Sequence, residues 1–541
     1  MRRRSWLAFG LLAAWAFSLT AQEPVPQSSF GESIDVRVVN VEAVVTDAKG
    51  NRVRGLTAKD FQLLVDGREV PIEFFAEISG AEASPSPSEA AASDPAGLAA
   101  PADPRGRNIL VFIDDLFSVA GQRDAVLAGL ERDLKLLGPE DRMAIVALGM
   151  GGRPDVLSSW TGDQGALATA LETARKRRAW GNDVLAMRRS IQGEQELARL
   201  AEEDGSLSLY RDGAGTFSGA RGVSSFWSMS PSGSGVDSRL YSRLLKVPVA
   251  VVAAMRTLTP PPGRKVLLLV SGGWPVPRLM VPMMTEANRL GYTAYPVDAQ
   301  GIDMAITVND ASQSGPSGDT AWVSSQWEHG VHDGLELLAR VTGGKALLNS
   351  ARLDALGRTV EDTSQFYWLG FTPTWKGDDR HHGIRVKVRA KGLTVRSRGG
   401  FSDFSQSSEA ALAGYSTLLL GGDPKDKRLV VEMGKPAAGK GSTMTVPVTV
   451  MIPVADLSTV EQDRRWHVEA VLSLGAMDKY GTYSDYMEIP LRLSLKEAPK
   501  PGGLARYKTS VKLRRIDQRL VFTIRDPLAG TVFWGEAEVR P

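Results

Sequence analysis

The residues of this sequence that could do chemistry are almost all carboxylates, hydroxyls and basic groups. Of 541 residues none is cysteine and five are histidine. This excludes disulfides, thiolate metal sites and cysteine nucleophiles, and it disfavours metal sites rich in imidazole. The sequence has no Gly-x-Ser-x-Gly elbow and no His-Glu-x-x-His motif, and no pair of carboxylates has a context typical of acid–base catalysis. We therefore expect a protein that is not an enzyme.

Two segments resemble known sites but have simpler structural explanations. Residues 434–442 nearly spell a phosphate-binding loop, yet the hydroxyl residue comes one place late and a strand pattern follows where such a loop needs a helix. We interpret this segment as a hairpin turn. His381 and His382 lie beside Asp378 and Asp379, so a metal site remains an alternative to a solvated hairpin tip.

The best-placed carboxylates are Asp114 and Asp115, which directly follow the apolar run 109–113. That run predicts a buried strand, and apolar residues at helical spacing follow it. Both carboxylates could cap this helix, because acidic side chains favour helix N-termini. Ser118 and Thr161 have a similar interpretation as ordinary loop or cap hydroxyls.

The elements that must position these residues form an α/β unit between flanking β segments. Over residues 105–360 apolar runs alternate with amphipathic helices, which predicts a Rossmann-like, doubly wound, mostly parallel sheet. Residues 180–247 interrupt this pattern as a loop insertion. The flanking segments 34–79 and 364–404 alternate with a period of two, and each is too short to bury a core alone. We predict that they pair into one β-sandwich with the α/β domain inserted between them.

The remaining segments predict an exported chain with a further β domain. Residues 425–541 contain seven short strand patterns, typical of an immunoglobulin-like sandwich, and residues 80–104 have the Ala, Pro and Ser composition of a disordered linker. Residues 1–21 combine three arginines with a short apolar run, which predicts a secretory signal peptide, with an uncleaved anchor as the alternative. We expect a periplasmic or secreted protein with no integral membrane domain after cleavage.

The net charge favours neither nucleic acid nor a membrane surface as a partner, and we expect no nucleic acid to bind. The formal net charge is +2, and removal of Arg2, Arg3 and Arg4 with the signal peptide leaves −1. A nearly neutral chain has no overall electrostatic reason to bind nucleic acid or anionic lipid.

The order of these motifs resembles the von Willebrand factor type A (vWA)-related proteins that are abundant in acidobacteria. The resemblance covers about residues 34–404. It is carried by Val44-Val45-Thr46-Asp47, Gly55-Leu56-Thr57, Asp66-Gly67, Gly263-Arg264-Lys265, Ser271-Gly272-Gly273, Gly343-Gly344, Gly370-Phe371-Thr372-Pro373 and Arg396-Ser397-Arg398-Gly399-Gly400-Phe401. It implies an extracytoplasmic vWA-type fold and a binding role, but no particular reaction.

The resemblance also implies a metal-ion-dependent adhesion site at the carboxyl edge of the sheet. In such a site hydroxyls and carboxylates hold Mg²⁺, and a carboxylate of the partner completes the shell. The family pattern Asp-x-Ser-x-Ser corresponds here to residues 114–118, where Leu116 replaces the first serine, and residues 271–273 lack the family's further aspartate. The implied Mg²⁺ site is therefore degenerate, and its candidate ligands are Asp114, Ser118 and Thr161, with Asp115 as a substitute ligand.

We expect protein–protein binding, or an adhesion-like interaction, through the loops at 114–121, 161–163 and 271–278. Phe117, Trp274 and Val276 are the candidate apolar contacts to this protein partner, with local packing as the alternative for residues 274–277. Two further interpretations remain open: a structural component of the cell envelope without metal, and an envelope hydrolase.

Overall fold

The computed structural model describes most of the chain from residue 38 onward. The described residues are 38–79, 82–85, 106–183, 238–273, 280–300, 332–375, 377–421, 429–479, 481, 484 and 487–541. The predicted signal peptide, most of the predicted linker and most of the predicted insertion lie outside them. So do the candidate contacts Trp274 and Val276.

The first β segment contributes strands to two different sheets. Its strands are β1 (Val39–Thr46), β2 (Phe61–Val65), β3 (Arg68–Val70), β4 (Phe74–Ser79) and β5 (Glu82–Pro85). β5 lies within residues 80–104, where the sequence predicts a disordered linker. Its backbone pairs antiparallel with β4, so the sheet extends by one strand beyond the predicted boundary.

The α/β unit follows, with strands and helices in alternation. Its strands are β6 (Arg107–Asp114), β7 (Arg142–Leu148), β8 (Pro154–Thr161), β9 (Arg264–Ser271) and β10 (Tyr292–Asp298). Its helices are α1 (Ala120–Asp133), α2 (Gln164–Arg175), α3 (Ser238–Thr257), α4 (Val281–Leu290), α5 (332–342) and α6 (Ala355–Asp362).

These five strands form one sheet in the order β10-β9-β6-β7-β8. β10, β9, β6 and β7 are parallel, whereas the edge strand β8 is antiparallel to β7. Alternate side chains of β6 enter two separate clusters. Leu110 and Phe112 pack with residues of α3, α4 and α5, whereas Ile109, Val111 and Ile113 pack with residues of α1, α2 and α6. Helices therefore cover both faces, which explains why the apolar run is continuous rather than alternating.

The chain then returns to the first β segment. The returning strands are β11 (Gln365–Phe371), β12 (Arg380–Val388), β13 (Thr394–Ser397) and β14 (Gly400–Asp403). They complete two sheets, β13-β1-β11-β4-β5 and β14-β12-β2-β3. Apolar residues of both sheets form a single buried cluster, so the two segments that flank the α/β unit in sequence form one two-sheet unit.

Helix α7 (Gln406–Leu420) leads into the C-terminal strands. These are β15 (Val430–Met433), β16 (Ala437–Ala438), β17 (Thr443–Ile452), β18 (Thr459–Gln462), β19 (Arg465–Asp478), β20 (Met487–Leu495), β21 (Ala505–Arg514), β22 (Gln518–Arg525) and β23 (Val532–Val539). They form two antiparallel sheets over one apolar cluster. Of the helices in the described ranges, none is long and apolar enough to cross a membrane.

Candidate functional site

The candidate residues lie where the parallel strands of the α/β unit end. β6 ends at Asp114, β7 at Leu148, β9 at Ser271 and β10 at Asp298. The register pairs Asp114 with Leu148 and Asp298 with Ser271, so these four ends share one edge of the sheet. We call it the carboxyl edge.

Asp114 is fully buried, and the chain itself supplies its hydrogen bonds. Oδ1 accepts from the backbone N–H groups of Leu116 at 2.9 Å and Phe117 at 3.2 Å, and Oδ2 accepts from Ser271 Oγ at 2.6 Å. Burial raises the pKa of Asp114 to about 7, although these hydrogen bonds act in the opposite direction. This carboxyl group orders the turn after β6 and ties it to β9.

Asp115 has a different environment. Its Oδ1 pairs with Arg123 Nη1 at 2.6 Å and its Oδ2 with Arg177 Nε at 2.7 Å. Arg123 lies on α1 with a side chain only 1% exposed, and Arg177 follows α2. Asp115 therefore links two helices to the sheet, and both of its oxygens are occupied.

Three buried polar atoms near the carboxyl edge have no hydrogen-bond partner among the described residues. One is Arg352 Nε, beside Asp298, and the other two are Ser118 Oγ and Gln300 Nε2 of the loops after β6 and β10. The Ser118 residue is fully buried and Gln300 is 9% exposed. A buried polar atom without a partner is unfavourable, and in proteins such atoms usually bond to water or to a ligand. Of these atoms, Ser118 Oγ and Gln300 Nε2 belong to the loops of the edge and could bond to a polar group that reaches between those loops.

The loops after β6, β9 and β10 touch one another at this edge. The Val119 N–H donates to Ala299 O at 3.0 Å, and the Ala299 N–H donates to Ser271 O at 2.9 Å. A Cβ on Gly272 would lie 2.0 Å from Phe117 O, so only glycine permits this approach. Phe117 itself is 5% exposed and lies in the apolar cluster beneath α3 and α4. In contrast to its predicted role as a partner contact, Phe117 is a core residue.

The structure does not bring Thr161 to this edge. β8 runs antiparallel to β7, so Thr161 pairs with Met143 at the start of β7, five residues from Leu148. Five strand residues correspond to roughly 17 Å. Thr161 Oγ1 instead accepts from the Asp163 N–H at 3.1 Å, in the turn that begins α2. The simpler interpretation of Thr161, as a hydroxyl near a helix start, matches this contact.

Asp298 adds a third carboxyl group to the edge. Its Oδ2 lies 3.5 Å from His332 Nε2 and 3.8 Å from Arg352 Nη1. Its Oδ1 accepts from the Gln300 N–H at 2.9 Å, which fixes the turn that carries Gln300.

These residues do not fit a Mg²⁺ site. Asp115 is neutralised by two guanidinium groups, Thr161 lies at the other edge, and Asp114 directs its oxygens to donors of the chain. One such carboxylate and Ser118 Oγ supply too few ligands for the near-octahedral shell of Mg²⁺. Within the described ranges, no three His, Cys, Asp or Glu residues are grouped so that they could hold a metal ion.

The other two motif-like segments, residues 381–382 and 434–442, also make their contacts with other residues of the chain. His382 Nδ1 lies 2.8 Å from Asp66 Oδ2, and the ring stacks on Trp375 with centroids 3.8 Å apart. His381 Nδ1 lies 3.0 Å from Ser402 Oγ. Residues 434–442 contain the short strand β16, which pairs with β17.

Comparison with known proteins gives no close relative. No family model matches this chain, and no curated protein matches it. Among solved structures, a pilus adhesin, SpaC from Lactobacillus rhamnosus GG, aligns with 9% identity and a TM-score of 0.24, over 80% of this chain and 57% of that one. Bacteroides uniformis beta-glucuronidase 2, covalently bound to cyclophellitol-6-carboxylate aziridine, aligns with 8% identity and a TM-score of 0.14, over 32% of this chain and 18% of that one. Both TM-scores are too low to carry an argument about fold or function.

Proposed function

We propose that this protein is an exported vWA-type binding module that holds a protein partner at the carboxyl edge without a metal ion. One observation carries the proposal. The loops after β6, β9 and β10 converge there around the buried, unpartnered Ser118 Oγ and Gln300 Nε2. Ligands of open α/β sheets bind outside the carboxyl ends of the strands, where loops supply the contacts.

The vWA-type assignment has support from topology as well as from the motifs in the sequence. Four parallel strands with helices on both faces and one antiparallel edge strand, β8, suit a doubly wound domain of this type. The two-sheet unit and the C-terminal sheets suit immunoglobulin-like sandwiches. Export rests on the sequence of residues 1–21.

Several further segments of the chain also reach the carboxyl edge. Gly272 after β9 lies against Phe117, and Ala299 after β10 accepts a hydrogen bond from the Val119 N–H. α5 starts there, because His332 contacts Asp298. Lys246 of α3 lies beside Gly152, which follows β7. Loops at one edge of a rigid sheet are where proteins commonly place their binding residues.

Binding suits the edge better than catalysis does. Asp114 is fully buried and accepts three hydrogen bonds from the chain, and Asp115 is held by two arginines, so both carboxylates already have their oxygens paired within the chain. A structural envelope component without a dedicated partner is the competing interpretation, and the following experiment separates the two.

The test is site-specific photocrosslinking in the intact exported protein. A photoreactive phenylalanine replaces Ala120, an exposed residue directly after the Ser118 turn. The matched control replaces Gln164, an exposed residue at the opposite edge. We expect Ala120 to give a discrete adduct with another protein, which persists in EDTA, and Gln164 to give none.

Other outcomes count against the proposal. If neither position gives an adduct, or both give the same ones, the carboxyl edge is not a docking site and the structural interpretation stands. An adduct that EDTA abolishes would restore a metal-dependent mechanism.

A further inference from the structure

The C-terminal sheets carry a row of cations that the proposed binding edge does not use. β21 alternates between inward and outward residues, and its outward residues include Arg506, Lys508, Lys512 and Arg514, all of them exposed. Outward neighbours on a strand are about 6.7 Å apart, so Arg506 to Lys512 spans about 20 Å. The spacing makes this row a linear array of positive charge.

Most of this charge is not neutralised by the protein. Arg514 Nη2 pairs with Asp478 Oδ2 at 2.7 Å. Arg506, Lys508 and Lys512 have no carboxylate within ion-pair distance among the described residues. On the same outer face, Glu432 is an exposed carboxylate on β15, and the register places Thr449 of β17 between it and Lys508.

Three of the four cations have a threonine opposite them on β17, whereas Arg506 lies opposite Met451. The register sets Thr443, Thr445 and Thr449 of β17 opposite Arg514, Lys512 and Lys508, and Ser510 lies between the two lysines. The outward positions of β17 and β21 contain no aromatic residue. Hydroxyls both donate and accept hydrogen bonds, so they can pair with the hydroxyls and ring oxygens of a sugar.

We propose that this outer face, formed by β17 and β21, binds a linear acidic polysaccharide. The row of cations complements regularly spaced carboxylates or sulfates, and the adjacent hydroxyls complement the sugar. Single-stranded nucleic acid fits less well, because its binding sites usually offer aromatic rings for base stacking. A membrane surface fits less well, because the face is a sheet and not an amphipathic helix with a deep apolar side.

The competing explanation is that the lysines protect an edge. β21 pairs only with β17 among the described strands, and exposed lysines discourage such strands from pairing with other chains. Edge protection needs charge but no ligand, so a direct binding measurement separates the two explanations.

The experiment is affinity electrophoresis of the full chain through gels that contain polygalacturonate. Gels with fully methyl-esterified polygalacturonate are the neutral control. The test variant is K508E/K512E, and the matched control is K387E/K391E, which makes the same change in net charge at exposed residues of the two-sheet unit. We expect retardation only by the acidic polymer, weakened about tenfold or more in K508E/K512E and unchanged in K387E/K391E.

Thermal unfolding of both variants first establishes that each is folded. Absence of retardation would overturn the proposal and leave edge protection as the explanation. Equal retardation by the esterified polymer, or equal loss in both variants, would also overturn it. Tighter binding to oligo-dT or to phosphatidylglycerol vesicles through the same lysines would assign the face to a different polyanion.

Discussion

At the scale of single residues, the carboxyl edge depends on two adjacent aspartates that lie in contrasting environments. Asp114 is buried with neutral donors only, whereas Asp115 is buried against two guanidinium groups. Adjacent residues at the end of a strand point to opposite faces, so Asp114 meets the Ser271 hydroxyl at the end of β9 and Asp115 meets Arg123 on α1 and Arg177 after α2. Sequence proximity therefore does not imply a shared role.

The first prediction concerns the titration of Asp114. Burial raises its pKa from 3.8 to about 7, so the folded state keeps a proton that the unfolded state releases between these values. Stability should therefore fall as the pH rises through this range. In Asp114→Asn that decline should be reduced by up to about 1.4 kcal/mol per pH unit. Urea unfolding at pH 5, 6 and 7 measures the free energy of unfolding of both proteins. If it changed with pH equally in the wild type and in Asp114→Asn, the raised pKa would be contradicted.

The second prediction compares the two carboxylates that contact Arg123. Asp115→Ala leaves a guanidinium group that is 1% exposed without its buried counter-ion, which should lower the free energy of unfolding by about 3–5 kcal/mol. Asp124 also pairs with Arg123, but its side chain is 38% exposed. Asp124→Ala should therefore lower the free energy of unfolding by less than about 1 kcal/mol. Equal losses in urea unfolding would show that burial does not decide the strength of this pair.

Only the part of this site that lies within one short stretch of sequence could be predicted. Asp114 and Ser118 share one turn, and a four-residue separation made their proximity predictable. Thr161 was misplaced because spacing does not reveal the direction of a strand, and β8 is antiparallel. Ser271, which donates to Asp114 across 157 residues, had no local signal beyond its position at a strand end.

At the scale of elements, the closeness of the loops limits which residues the edge accepts. The third prediction uses two glycines of this region. Gly272→Ala places a Cβ 2.0 Å from Phe117 O, and the required shift should cost about 1–3 kcal/mol. Gly121→Ala, in the first turn of α1 with nothing within 4 Å, should stabilise the protein by about 0.4–1 kcal/mol, because alanine restricts the unfolded chain. A neutral effect of Gly272→Ala in urea unfolding would mean that the β6 and β9 loops separate easily.

The strands of the parallel sheet were predictable because their residues are buried on both faces, as in β6 and β9. Helix α7 was not predicted. Its residues are mostly small or apolar and are buried on several sides, so they show no amphipathic period. Leu418 and Leu419 pack against Val249 of α3 and Val521 of β22, which places α7 between the α/β unit and the C-terminal sheets.

At the scale of the whole molecule, charge networks join the units in addition to the apolar contacts between them. Glu409 of α7 pairs with Arg256 of α3 at 2.8 Å and with Arg289 of α4 at 2.7 Å. Both arginines also pair with Glu286, which is 1% exposed. Burial raises the pKa of Glu286, but the two arginines outweigh this effect and hold the pKa below its usual range. The network thus keeps its charges at neutral pH and fixes the orientation of α7.

A second network joins the two-sheet unit to the α/β unit. Asp362 Oδ1 lies 2.6 Å from Arg52 Nη2 and 2.8 Å from Lys345 Nζ, and Oδ2 lies 2.6 Å from Arg396 Nη2 and accepts from Tyr295 Oη at 2.7 Å. Burial raises the pKa of Asp362, but these cations and hydrogen bonds outweigh it and hold the pKa well below its usual range. One carboxylate therefore balances cations that come from both units.

The last prediction concerns this junction. Asp362→Asn leaves three cations around a neutral group, so it should lower the free energy of unfolding at pH 7 by about 3–5 kcal/mol. Because the pKa is depressed in the folded state, this stabilisation is present above the unfolded value of 3.8 and is lost as the pH falls below it. The wild type and the variant should therefore converge in acid.

The matched control for the junction is Glu69→Gln, which breaks an ion pair whose side chains are 59% and 50% exposed and should lower stability by less than about 1 kcal/mol. Hydrogen exchange gives a second readout, since loss of the junction should speed exchange in β1 and β11 more than in the C-terminal strands. If Asp362→Asn behaved like Glu69→Gln in both measurements, apolar packing alone would hold the two units together, and Asp362 would be incidental to the assembly that positions the carboxyl edge.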